Sequence, residues 1–179
     1  MSYRKYLKDY QLEEYVDEKG RTKTRAVYIA GEYILSPDIP VGDKRLMLAA
    51  SILSWPAMIG ALIPRTIASE LAYVILPFVF SALPLFFMTG AVFALVREDP
   101  QLTRERADKI ASRLPLCPLI AAVLSCVAFL GLVVAAVFIR NDMLSGDLLF
   151  GALSLVTAAA ASFVFIKCRK LKAYKNDPD

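Results

Sequence analysis

The chain has 179 residues, of which 57% are hydrophobic, a larger share than a soluble domain of this size carries. A formal net charge of +4 is too small for a surface that neutralises many nucleic-acid phosphates, and the absence of histidine removes the commonest general base and metal ligand. These properties predict a membrane protein and exclude nucleic-acid binding.

Residues 1–40 form a polar, tyrosine-rich amino-terminal segment, in which three stretches are rich in Tyr, Val, Ile and Thr. These stretches lie at 10–16, 21–29 and 32–35. Gly20 and Gly31 follow the first two and suit the positive φ of hairpin turns. We therefore expect a cytoplasmic β-meander that is too small to be stable alone. The middle loop, a second copy of the chain or another protein could cover it.

Four long stretches without any charged residue follow this segment. They cover residues 46–64, 71–96, 116–139 and 148–166. Each has close to, or more than, the roughly 20 residues with which a helix crosses about 30 Å of hydrocarbon. The predicted fold class is therefore an all-α membrane protein, with a four-helix transmembrane domain over residues 41–166 and a small β-rich cytoplasmic segment before it.

Lysine and arginine are distributed unevenly around these spans. Segments 1–45, 97–115 and 167–179 contain 19 of them, whereas the two short connections contain 2. The positive-inside rule places both termini and the middle loop in the cytoplasm, as in a multi-pass protein of the cell (plasma) membrane. Because the outer connections are short, we expect two antiparallel helical hairpins that pack as one unit. The basic tail, 167–179, should contact anionic lipid head groups.

The middle loop, 97–115, has an amphipathic pattern. Asp99 and Pro100 suit a helix start, and apolar residues then recur at helical spacing. These apolar residues are Leu102, Ala107, Ile110 and Leu114. We expect a short helix on the inner membrane surface. The acidic residues of the loop have basic neighbours, which indicates a salt-bridged face rather than a catalytic pair of carboxylates.

The first two spans contain prolines close to serine residues. Pro77, Ser81 and Pro84 share one face of the second span, where each proline leaves a backbone carbonyl without its helical donor. Such a face is either a polar cavity lining or hinge, or an ordinary kinked helix whose carbonyls find other donors, and we favour the kinked helix. The first span has a comparable group with the same two interpretations. Its members are Ser51, Ser54, Trp55 and Pro56.

The fourth span has small residues at steps of three and four. They are Gly151, Ser154, Ala158 and Ser162. Such a stripe lets two helices approach closely, either within the monomer, which we favour, or between two copies of the chain.

The sequence indicates no active site. The three cysteines, Cys117, Cys126 and Cys168, are too few and too scattered for a disulfide framework or a shared site. The spans contain no ionisable Asp, Glu, Lys or Arg, on which proton-coupled transport depends. We predict no catalytic residues, no cofactor, no metal and no enzymatic activity.

The predicted function is that of a non-catalytic membrane subunit or accessory protein whose amino-terminal segment docks a protein partner. The alternative is a small facilitative transporter or channel, formed by an oligomer of the four-helix unit and lined by hydroxyls and backbone carbonyls. The expected partners are the lipid bilayer and either another protein or further copies of the chain.

Overall fold

A computed structural model of the chain describes residues 7–17, 21–64, 66, 70–97, 102–138 and 145–175. These residues are mostly helical. The α-helices are α1 (Val41–Leu62), α2 (Ala72–Phe80), α3 (Ala82–Arg97), α4 (Arg104–Phe138) and α5 (Ser145–Cys168). The strands are β1 (Tyr10–Val16), β2 (Thr22–Tyr28), β3 (Tyr33–Ser36) and β4 (Lys172–Lys175), and a short 3-10 helix covers Leu7–Asp9.

Four helical segments in the described part of the chain are long and apolar enough to cross a membrane, with α2 and α3 together forming the second. They confirm that the four predicted apolar stretches are helical. Polar turns lengthen them at the ends: α1 begins at Val41, and α4 begins at Arg104, well before the apolar stretch.

The four segments surround a common core. Helix α1 contacts α3 and α5, and α4 contacts α2, α3 and α5. The rings of Phe78 and Phe150 meet in this core with centroids 4.9 Å apart, and both side chains are fully buried. Close packing therefore fills the space between the second and fourth segments at this level.

One of the small residues of α5, Gly151, lies at its contact with α4. Gly151, Ser154 and Ala158 are buried. A Cβ atom on Gly151 would come within 3.3 Å of Leu132 Cδ2 in α4, so the two helices approach closely there. The favoured prediction, packing within the monomer, is therefore confirmed at Gly151, whereas Ser162 of the same stripe is only half-buried.

The second segment is an interrupted helix. Its helical pattern breaks at Ser81, between α2 and α3, and the Ser81 hydroxyl is buried and donates to the Phe78 carbonyl at 2.6 Å. In α1, Ser51 and Ser54 likewise donate to carbonyls one turn earlier, and Trp55 Nε1 donates to Thr89 Oγ1 at 3.1 Å. These hydroxyls donate to carbonyls other than those that Pro77 and Pro84 leave without a helical donor, which belong to Tyr73 and Phe80. The choice between a kinked helix and a polar cavity lining therefore stays a prediction.

The amino-terminal strands differ from the predicted meander. β1 and β2 form the expected antiparallel β-hairpin, from Tyr10 opposite Tyr28 to Val16 opposite Thr22. β3 pairs with β4 of the tail instead of β2, so the three-stranded meander was wrong. The chain turns away from β2 at Gly31, which has a φ of 81°. The predicted turn at Gly20 lies outside the described residues.

The described part of the middle loop also differs from the separate surface helix that we predicted. From Arg104 onward it is the first part of α4 and runs without interruption into the third apolar stretch. The predicted start at Asp99 and Pro100 lies outside the described residues. The predicted apolar face is confirmed as a set of buried residues: Leu102, Ala107, Ile110 and Leu114. This face packs into the protein core instead of lying on lipid.

Candidate functional site

Three distant parts of the chain meet at one end of the helical core. β3, from the amino-terminal segment, lies between Leu102, just before α4, and β4 of the tail. Tyr33 and Leu102 exchange two backbone hydrogen bonds, of 2.9 and 3.0 Å. Lys167 Nζ in α5 also lies 2.8 Å from Asp43 Oδ2 in α1. The amino-terminal segment, the beginning of α4 and the tail therefore share one end of the molecule.

The β-hairpin is attached to this end through its base. The backbone N–H of Arg104 donates to the Tyr28 hydroxyl at 2.8 Å, and the Arg104 guanidinium donates to Asp9 Oδ1 at 3.3 Å. Asp9 is buried, and its carbonyl accepts from the N–H of Ile29. The Tyr10 ring meets the Tyr28 ring edge-on, with centroids 5.3 Å apart. We call Asp9, Tyr10, Tyr28 and Arg104 the anchor.

Electrostatics in the anchor favour a neutral tyrosine beside a charged arginine. Burial raises the pKa of Tyr28, and the negative charge of Asp9 raises it further, while the Arg104 N–H acts in the opposite direction. Tyr33 and Asp9 raise the pKa of Arg104. The Tyr28 hydroxyl thus remains protonated at neutral pH and accepts the backbone N–H of Arg104.

Beyond the anchor the β-hairpin is exposed on both sides. Every residue of β1 and the first five residues of β2 are exposed. Alternation and register place eight side chains on one side, which we call the apolar face. They are Tyr10, Leu12, Glu14, Val16, Thr22, Thr24, Ala26 and Tyr28. Leu12 is 72% exposed and Val16 68% exposed, so this face is not covered within the described part of the chain.

The opposite side of the β-hairpin, which we call the charged face, satisfies its own charges. Glu13 stands directly opposite Arg25, and the Arg25 guanidinium lies 6.0 Å from the centre of the Tyr15 ring. Near the turn, Lys23 Nζ lies 2.6 Å from Asp17 Oδ2. Water solvates such charged side chains well, whereas the exposed apolar side chains of the opposite face are not stabilised by contact with water.

An apolar cavity of about 380 Å³ lies beneath β3. Leu35, Ile39, Leu95 and Leu171 contribute to its lining. Lys44 and Asp38 also line it, with their charged atoms 3.8 Å apart. Its size suits a small ligand, but one ion pair does not supply the several convergent polar groups that a catalytic site needs.

The three cysteines are free thiols. Cys168 is buried, Cys117 half-buried and Cys126 exposed. In the ranges described above, no group of three or more His, Cys, Asp or Glu residues could hold a metal ion. Sequence reasoning missed the anchor, because Asp9 and Arg104 are far apart in the chain and carry no local motif. No family model, curated protein or solved structure matches the chain.

Proposed function

We propose that this chain is a non-catalytic membrane subunit or accessory protein that docks a cytosolic protein on the apolar face of its β-hairpin. In this proposal the four helical segments cross the cell membrane as two antiparallel helical hairpins. The anchor, β3 and β4 then lie on the cytoplasmic side, as the distribution of basic residues indicates.

The outer surface of the helices supports insertion into a bilayer. Each segment has large apolar side chains pointing away from the core. Examples are Ile52 in α1, Phe86 in α3, Leu130 in α4 and Leu148 in α5, all more than half exposed. Helices that are apolar all round need a solvent of hydrocarbon rather than water.

The observation that carries the docking proposal is the exposed apolar face on a β-hairpin whose base is fixed. A two-stranded β-hairpin is only marginally stable in water without further cover. The anchor holds its base against Arg104, while Leu12 and, nearer the turn, Val16 remain exposed to solvent. A protein that covered these side chains or extended the edge of β1 would stabilise the β-hairpin and be held by it.

The alternative, a facilitative pore, gains no support from the buried hydroxyls of the described helices. Ser51, Ser81 and Ser154 donate to carbonyls of their own helices. Ser125 differs, since its buried hydroxyl has no hydrogen-bond partner within the described ranges. One isolated hydroxyl does not form a water-lined path.

The test is comparative co-purification from membranes in a mild detergent. Replacing Leu12 and Val16 by Ser should abolish recovery of a stoichiometric partner, because it removes the two most exposed aliphatic side chains from the apolar face. Replacing Gln11 and Glu13 by Ser is the matched control, since it changes two exposed residues of the same strand on the charged face. We expect the control to retain the partner.

Two results would contradict the proposal. One is retention of the partner by the Leu12 and Val16 variant at the level of the wild type. The other is recovery of the wild-type chain as a homo-oligomer that conducts solute after reconstitution, which would favour the transporter alternative.

A further inference from the structure

A narrow groove runs between α3 and the beginning of α4. Its volume is about 140 Å³. Small residues of α3, Gly90, Ala91 and Ala94, form one wall. A Cβ atom added to Gly90 would meet no atom within 4 Å, so the groove is open at this position.

The opposite wall of the groove is basic. Arg106, Lys109 and Arg113 of α4 line it together with Ile110. The three basic residues follow one another at steps of three and four, which places them on one face of the helix. Lys109 is also paired with Glu105 of the same helix.

Arg113 is the last of these three basic residues along α4. Its guanidinium lies 5.0 Å from the centre of the Phe87 ring in α3, a cation–π contact that links the two helices. The side chain is nevertheless exposed, as is that of Arg106. The guanidinium is thus oriented by an aromatic ring while it stays accessible at the groove.

The position along α4 suits the lipid head-group layer. At 1.5 Å per residue, the chain from Arg113 to Phe138 is about 38 Å long, which exceeds the roughly 30 Å of a hydrocarbon core. A helix that crosses the bilayer with its Phe138 end outside would therefore carry Arg113 to the inner head groups. Arg106 and Lys109 lie on the same face of α4, further toward the cytoplasm.

We propose that this groove binds the phosphate of an anionic phospholipid from the inner leaflet, an inference that rests on the membrane insertion proposed above and is independent of partner docking. The phosphate lies against Arg106, Lys109 and Arg113, because guanidinium and ammonium groups are strong donors to phosphate oxygens. The small residues around Gly90 leave room for the head group, and its acyl chains extend from the level of Arg113 into the hydrocarbon. Basic pockets between transmembrane helices are known to hold anionic head groups in this manner.

The charge requirement is tested with the full-length protein in detergent, by native mass spectrometry during titration with phosphatidylglycerol or phosphatidylcholine. The variant Arg106→Gln, Lys109→Gln, Arg113→Gln should bind phosphatidylglycerol on the order of a hundredfold more weakly, because each basic side chain at such a surface contributes about fivefold. The matched control changes three basic residues at the same end of the protein but outside the groove. These are Arg169, Lys170 and Lys172, each replaced by Gln.

The shape requirement is tested by a pair of glycine variants that leave the charge unchanged. Gly90→Leu fills the groove and should weaken phosphatidylglycerol binding. Gly42→Leu adds the same side chain at a glycine that likewise has no atom within 4 Å of its Cβ position, and should leave binding unchanged. A thermal midpoint equal to that of the wild type shows that either variant remains folded.

The outcomes separate the proposal from its competitors. Equal losses in the groove variant and the tail control would show diffuse attraction and overturn the proposal, as would equal wild-type affinity for phosphatidylcholine. Displacement of the lipid by soluble glycerol phosphate at a similar concentration would identify a free-phosphate site and overturn the lipid assignment. No partner protein is present in the lipid-binding assay, so the result of that assay does not depend on the docking hypothesis. Recovery of the protein from cells without detergent would refute membrane insertion itself.

Discussion

The hydrogen bond between Tyr28 and Arg104 should control how firmly the β-hairpin is attached. Tyr28→Phe keeps the ring contact with Tyr10 and removes only the oxygen that accepts the Arg104 N–H at 2.8 Å. Loss of one such bond costs about 1 kcal/mol, which corresponds to about a fivefold increase in the detached population. Because a detached two-stranded β-hairpin is marginal, its backbone amides should exchange with solvent more often.

Amide hydrogen exchange followed by mass spectrometry measures this effect for each segment. Peptides from β1 and β2 should exchange about fivefold faster in Tyr28→Phe, in proportion to the detached population. Peptides from α1 to α5 should exchange as in the wild type. Tyr15→Phe is the matched control, because it removes an exposed hydroxyl from the charged face of the same β-hairpin and should have no effect. Unchanged exchange in Tyr28→Phe, or an equal change in Tyr15→Phe, would refute the role assigned to the anchor.

Other measurements test the fold and its orientation. Replacing Gly151 by Leu should lower stability by about 1–3 kcal/mol, seen as a lower thermal midpoint in detergent, because the close contact with α4 would be overpacked. A topology reporter fused after Ile139 should report the outside and one fused after Tyr174 the cytoplasm; an external Tyr174 would contradict the proposed orientation. A membrane-impermeant thiol reagent applied to intact cells should not label Cys168. Between pH 6 and 9 titration of Tyr28 should not alter the attachment of the β-hairpin, since its raised pKa keeps the hydroxyl protonated. The stability that this hydroxyl contributes is present below the pKa of tyrosine in the unfolded chain, about 10. It is lost as the pH rises through the higher pKa of Tyr28 in the folded chain.

Local sequence patterns predicted where the helices and strands lie better than they predicted which of them pair with one another. The first predicted strand, 10–16, coincides with β1, and long uncharged stretches marked all four helical segments. The period-two and apolar-run signals behind these predictions depend only on neighbouring residues. The apolar positions Leu102 and Ile110 were also recognised by spacing and are buried.

Long-range pairing could not be read from those signals. The tail around Tyr174 is rich in lysine, and its basic character pointed to lipid head groups rather than to a strand. It becomes a strand because β3 offers backbone donors and acceptors, and no local rule relates Ile34 to Tyr174. The same holds for the groove opposite Gly90, since it exists only where α3 and α4 meet.

The charged residues of the middle loop produced the other main difference. Arg106, Lys109 and Arg113 made segment 97–115 look separate from the third span, because a hydropathy window averages over all faces of a helix. In the structure the same residues line a groove on α4, while Ala107 and Leu114 are buried on the inner side of that helix. Polar and apolar faces therefore share one continuous helix.

Pairing of β3 with β4 has a consequence for how the protein is made. β3 is synthesised before the first helical segment and β4 after the last, with roughly 140 residues between them. At ribosomal rates of about 5–20 residues per second, β3 waits on the order of ten seconds for its partner strand. During that interval β3 has no β4 to pair with, and the sheet forms only in chains whose tail has reached the same end of the helical core. The sheet is therefore a structural mark of a completely synthesised and folded chain, which a quality-control factor could distinguish from a nascent one.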